Sequence, residues 1–147
     1  MITPDMRQLI ERNTVGFVAT VTPKGKPAVS PKGTSVVLDE KTIAIGDLRS
    51  PGTARNLRAN PAVEINYFDV LSRKAVRLAG TARYVTSETE EFSQLLPRFQ
   101  TWSKLVPRIR GVFVVDVAAA QIIVSPAYDI GATEDQLRRY WSGYYSS

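Results

Sequence analysis

Val76, Leu78, Gly80 and Ala82 alternate with Arg77, Ala79, Thr81 and Arg83, a two-residue period that no helix can turn onto one face. That stretch must be a strand, in a sheet with one face buried and the other wet or turned toward a ligand. Similar apolar segments rich in strand-forming residues occupy residues 15–21, 27–38, 42–46, 62–70, 75–85, and 111–119 continuing in 121–124. Turn formers separate most of them: Thr22-Pro23-Lys24-Gly25-Lys26, Asp39-Glu40-Lys41 and Leu71-Ser72-Arg73-Lys74. The segment 27–38 is disturbed at Pro31 and Gly33, which do not suit a regular ladder. About six strands joined by short turns predict a mainly β fold, a small closed antiparallel barrel with peripheral helices. Closure would hide the edges that so many apolar strands otherwise expose.

Helices are expected at the ends and in two connections. Thr3-Pro4-Asp5 caps the first, whose apolar positions Met6, Leu9 and Ile10 recur at helical spacing up to about Asn13. A second opens at Ser50 and stops before Asn60-Pro61. Ser87-Glu88-Thr89-Glu90 reads as the capping box of a third, carrying Phe92, Leu95 and Leu96 to Pro97. The last covers about residues 133–141, followed by Trp141-Ser142-Gly143-Tyr144-Tyr145-Ser146-Ser147, which suits a packing arm and a frayed end equally well.

Composition narrows the chemistry. At 147 residues and 44% apolar, the chain is expected to form a single domain over residues 1–147. It has no cysteine and no histidine, which removes disulfides, thiol nucleophiles, Ser-His-Asp triads and the usual zinc ligands together. The acidic pairs Asp39-Glu40, Glu90-Glu91 and Glu134-Asp135 read as a turn and two helix starts, and none has the spacing of a calcium loop, so no metal site is expected. There is no bilayer-length apolar run and no signal-peptide pattern, so a cytoplasmic protein without membrane association is expected. Of the net charge of +5, residues 24–58 carry +4, with seven Lys/Arg against Asp39, Glu40 and Asp47. These cations are scattered over turns, strands and one helix, a distribution that suits a small anionic ligand better than nucleic acid or a membrane surface.

The helix opening at Ser50 is where such an anion would sit. Ser50 is a good N-cap, Pro51 suits the first helical position, and Gly52 allows close approach to free backbone N–H groups. Arg49 and Arg55 bring charge to the same end, and the Thr53 hydroxyl adds a donor. A phosphate fits there; so does an ordinary capped helix, and the segment alone leaves both readings open.

Order and spacing carry the argument further. The hairpin Gly16-Phe17-Val18-Ala19-Thr20 with Lys24-Gly25-Lys26-Pro27 is followed by Val29-Ser30-Pro31-Lys32-Gly33-Thr34. Then come the Ser50 helix with Asn56-Leu57-Arg58-Ala59-Asn60-Pro61 and the alternating strand at residues 76–83. Together, over residues 5–125, they closely resemble the pyridoxamine 5′-phosphate oxidase-like, flavin-binding split-barrel family. The resemblance implies a six-stranded antiparallel split barrel, a homodimer, and FMN in a groove at the dimer interface. It places the FMN phosphate at Lys32 and Thr34 on the strand and at Ser50, Gly52, Thr53 and Asn56 at the helix, with Arg49 and Arg55 adding charge. It runs the flavin ring beside Val29, Ser30 and Pro31 and the facing strand end Ile45, Gly46 and Asp47. The implied function is an FMN-dependent oxidoreductase that uses NADH or NADPH to reduce a small organic acceptor. Two alternatives are a deazaflavin-dependent reductase and a non-catalytic flavin-binding or storage protein. The redox chemistry belongs to the cofactor, so no general base is required and no catalytic side chain is singled out.

Departures from the family pattern restrict the activity. The C-terminal arginine and histidine pair of true pyridoxamine-phosphate oxidases has no counterpart here, so vitamin B6 oxidation is not expected. Gly52-Thr53 stands where the family has a tandem Arg-Lys phosphate pair, which shifts weight onto Arg49 and Arg55. Haem-degrading relatives use a histidine ligand that this chain lacks. Trp102 and Trp141 are read first as core or interface packing and second as covers for the flavin.

Overall fold

The alternating run lies inside a strand spanning Lys74–Thr86 in the computed structural model, which describes residues 1–147. In chain order the elements are α1 (Pro4–Arg12), β1 (Gly16–Val21), β2 (Pro27–Lys32), β3 (Ser35–Asp39), β4 (Thr42–Asp47), α2 (Pro51–Ala59) and β5 (Ala62–Asp69). They continue with β6 (Lys74–Thr86), α3 (Glu90–Leu95), β7 (Gly111–Val124) and α4 (Glu134–Ser146). Short 3-10 turns fill the connections at Leu96–Trp102, Val106–Arg108 and Pro126–Ile130.

The strands form one antiparallel sheet in the order β2-β1-β5-β6-β7-β4-β3. It has seven strands rather than six because the segment 27–38 changes partners in mid-course. Lys32 is the last residue paired with β1, opposite Gly16, and Ser35 is the first paired with β4, opposite Ile45. Pro31 lacks an N–H, and Gly33 with Thr34 steps out of the ladder between them. The two edge strands are therefore joined by only two residues, so the sheet curls until its edges meet through the chain itself. The barrel is split there rather than closed by hydrogen bonds.

Burial explains why some strands alternate and one does not. The main core joins Ile43, Ile45, Ile65, Tyr67, Val76, Leu78, Phe113 and Val115 to Met6 and Ile10 of α1 and to Ala54 and Leu57 of α2. A second cluster on the opposite face unites Ala44, Val85, Val112 and Val114 with Phe92, Phe99 and Ile109. The first five residues of β7 are consequently buried on both faces and read as one apolar run, whereas β5 alternates between exposed and buried throughout. Where β6 and β7 shift register beside Gly80, a Cβ at that glycine would run into the Asp116 carbonyl, so only glycine fits the approach.

Three boundaries differ from the sequence reading. The third helix is capped by Thr89, not by a box starting at Ser87, because the Thr89 hydroxyl accepts from Phe92 N at 3.2 Å and donates to Thr86 O at 2.9 Å. That helix gives way to 3-10 structure at Leu96, just before Pro97, which lacks the N–H to continue it. The final helix runs on to Ser146 and takes in the aromatic tail. Trp141 anchors it by lying against the Arg73 guanidinium, 3.5 Å from the ring centroid, with Tyr140, Tyr144 and Tyr145 around it. No helix is long and apolar enough to cross a membrane.

Candidate functional site

Strand β2 has a dry side and a wet side. Pro27, Val29 and Pro31 point outward and are exposed, while Ser30 and Lys32 turn inward toward the start of α2. Helix α2 begins as its residues demand: Pro51 has no N–H to strand, and Ser50 occupies the N-cap position. The Ser50 hydroxyl, however, does not cap the helix. It accepts a hydrogen bond from Lys32 Nζ at 2.7 Å. Ala54 is the first residue whose N–H reaches back into the helix, to Ser50 O at 3.1 Å, so the N–H groups of Gly52 and Thr53 find no acceptor within it.

Lys32 is only 9% exposed and forms no ion pair. Burial pushes its ammonium below the ordinary lysine value, and the negative charge of Asp47 opposes that shift. An ammonium has three N–H bonds, and here one is spent on a hydroxyl. A desolvated cation in that condition is costly unless an anion completes it. Around it stand the Ser50 hydroxyl and, a little further along, the Ser30 and Thr53 hydroxyls at 3.5 Å from each other. A Cβ at Gly52 or at Gly33 would meet nothing within 4 Å, so the space beside both is open. Cation, hydroxyls and free backbone N–H groups around open space fit the donor set of a phosphate monoester.

The other sequence-predicted residues build the walls. The Thr34 hydroxyl donates to Gly46 O at 2.9 Å and the Thr34 backbone carbonyl accepts from Gly46 N at 3.0 Å, which clamps the start of β3 to the end of β4. Asn56 is buried and donates to Thr20 Oγ1 at 3.0 Å, fixing α2 to β1 rather than facing the cradle. Ile45 turns its side chain into the main core and offers the groove only backbone. Arg49 and Arg55 are exposed and have no carboxylate partner. The structure thus brings Ser30, Lys32, Ser50, Gly52 and Thr53 together and gives Thr34, Gly46 and Asn56 positioning roles.

Asp47 carries the one buried side-chain polar atom with no hydrogen-bond partner at all. Its Oδ2 accepts from the Tyr84 hydroxyl at 2.6 Å, and its Oδ1 is buried with no partner. Burial first, and then the hydrogen bond to Asp47 and its charge, push the Tyr84 phenol well above its ordinary value, so it stays a donor. Tyr84 was not visible as a site residue from sequence. It lies 37 residues from Asp47, just past the alternating run, and only the barrel brings them together.

A split antiparallel barrel thus carries a cationic, hydroxyl-lined cradle between an early strand and a helix start. The chain belongs to the pyridoxamine 5′-phosphate oxidase family, whose sequence pattern it matches over residues 2–124. No curated protein matches it significantly in sequence. Among solved structures it is similar to HupZ of Group A Streptococcus, with a TM-score of 0.74 and 26% identity over 85% of this chain and 96% of that one. An F420 reductase gives a TM-score of 0.60 and 26% identity over 78% of this chain and 94% of the other. An FMN-binding protein from Syntrophomonas wolfei subsp. wolfei gives a TM-score of 0.69 over 81% and 84%, and at 15% identity that likeness shows the fold alone.

Proposed function

We propose that this protein binds FMN and acts as an oxidoreductase, taking electrons from NADH or NADPH and passing them to a small organic acceptor. The observation that carries the reading is Lys32: a buried ammonium with no ion pair, held by the Ser50 hydroxyl at the mouth of α2. Lys32, Ser50 and Thr53 bind the phosphate, and the backbone at residues 29–31 and 45–47 lies along the ring edge. FMN supplies the redox chemistry when bound, and the chain's task is to bind it, orient it and exclude water. The family membership supports this choice of cofactor.

A homodimer belongs to the same reading. Phe17, Val29 and Phe68 are 44%, 64% and 41% exposed. They share the outer face of β2, β1 and β5, where Phe17 pairs with Pro31 on one side and Asn66 on the other. A second copy seated on that face would cover this apolar surface and give the flavin groove its other wall.

Purified protein tests the reading directly. It should be yellow, bind FMN more tightly than riboflavin, and bleach with NADH or NADPH in the absence of oxygen. Protein that holds FMN but is bleached by neither donor is a flavin carrier, and the enzymatic part of the reading fails. A second cofactor reading, a deazaflavin, is favoured by the 26% identity to the F420 reductase. The mass of the molecule released on denaturation decides between the two.

A further inference from the structure

A second cationic feature lies beside the cradle. Arg110 N donates to Asp47 O at 2.8 Å, and Asp47 pairs with Gly111 across β4 and β7. The segment leaving β4 and the segment leading into β7 therefore run side by side on a rigid ladder. Between them is a cleft with a partly apolar floor, Leu48, Leu105 and Ile109, and three arginines, Arg49, Arg108 and Arg110. All three arginines are exposed, and none has a carboxylate partner. The adjoining acid, Asp47, is buried with its carboxylate bound by Tyr84. Like charges gathered without counter-ions repel one another, and a bound anion relieves that repulsion. The apolar floor asks in addition for a ligand with a flat or apolar body.

We infer that this cleft takes the phosphorylated adenosine end of the electron donor and makes the protein prefer NADPH to NADH. The two donors differ only in the 2′-phosphate, a dianion for which forked arginines are the usual partners. The inference rests on the reading of the protein as a nicotinamide-dependent flavoprotein, but its test needs no turnover.

Affinities of FMN-loaded protein for NADP⁺ and NAD⁺ are measured by calorimetry at low ionic strength. NADP⁺ should bind about tenfold or more tighter, the range for a charge-assisted contact to one phosphate, with the ratio shrinking as salt is raised. In the double variant Arg108→Gln, Arg110→Gln the ratio should fall close to one, while FMN affinity and the circular dichroism spectrum stay unchanged. The double variant Arg12→Gln, Arg139→Gln removes the same charge from exposed positions on α1 and α4 and should leave the ratio intact. Equal affinities in the unmodified protein overturn the inference, as does a ratio that survives loss of Arg108 and Arg110 or that collapses equally in the control. Anaerobic bleaching is measured separately: if neither donor reduces the flavin, the parent reading fails, whatever the binding ratio turns out to be.

Discussion

Replacing Lys32 with Met separates a ligand-binding lysine from a structural one. The substitution keeps the length and apolar stem of the side chain and removes a buried ammonium whose sole hydrogen bond in the free protein goes to Ser50 Oγ at 2.7 Å. Without ligand, deleting that charge gives up one charge-assisted hydrogen bond, about 1.5 to 3 kcal/mol, and the attraction of Asp47, but recovers the larger desolvation cost of the buried cation. The free variant should therefore be as stable as the parent or more so, by urea denaturation near neutral pH. With ligand the balance reverses, because the two uncommitted N–H bonds have a phosphate to meet. One charge-assisted hydrogen bond is worth about 1.5 to 3 kcal/mol, which is roughly 10- to 150-fold in affinity for FMN. Riboflavin, which lacks the phosphate, should bind both proteins alike. The pH dependence has a definite sign. Burial lowers the lysine pKa in the folded state, so between that value and the ordinary 10.5 the unfolded chain holds more protons. Stability of the free protein should rise with pH across that window relative to the Met variant, and the whole penalty is present below it. Equal losses for FMN and riboflavin, or a free variant destabilised by several kcal/mol, would refute the phosphate assignment.

Tyr84→Phe removes the single hydrogen bond to Asp47 and leaves both carboxylate oxygens without a partner; unfolding in urea should register a loss of about 1 to 3 kcal/mol. Gly80→Ala drives a methyl group into the Asp116 carbonyl at the β6–β7 register shift, and it should cost about 3 kcal/mol or more, visible as a lowered thermal midpoint or as insoluble expression. Phe17→Asp with Val29→Asp places charge on the outer face of β1 and β2 without touching the core; sedimentation should find a monomer that has lost its flavin. A dimer that persists with FMN at full occupancy would move the interface elsewhere.

How much of this was legible in the chain depends on how local each cause is. The strands were readable because a two-residue period is written residue by residue, and burial along β5 follows it without exception. The strand count was not, since Pro31 and Gly33 mark a disturbance but not that the chain leaves one edge of the sheet there and joins the other. Within the site, Lys32, Ser50 and Thr53 could be chosen because each is a local anomaly: a lysine between Pro31 and Gly33, and hydroxyls around a Pro-Gly helix start. Their meeting was an expectation that only the barrel fulfils, with Lys32 and Ser50 brought together from 18 residues apart. The use of the Ser50 hydroxyl could not be read locally at all. As a cap it would have satisfied an N–H of its own helix, and the structure turns it to the lysine instead. A helix start that gives up its cap keeps its N–H groups for something else. At Gly52 and Thr53, beside a buried cation with no ion pair, a phosphate would satisfy the cation and the N–H groups at once, which is why the proposed function puts one there.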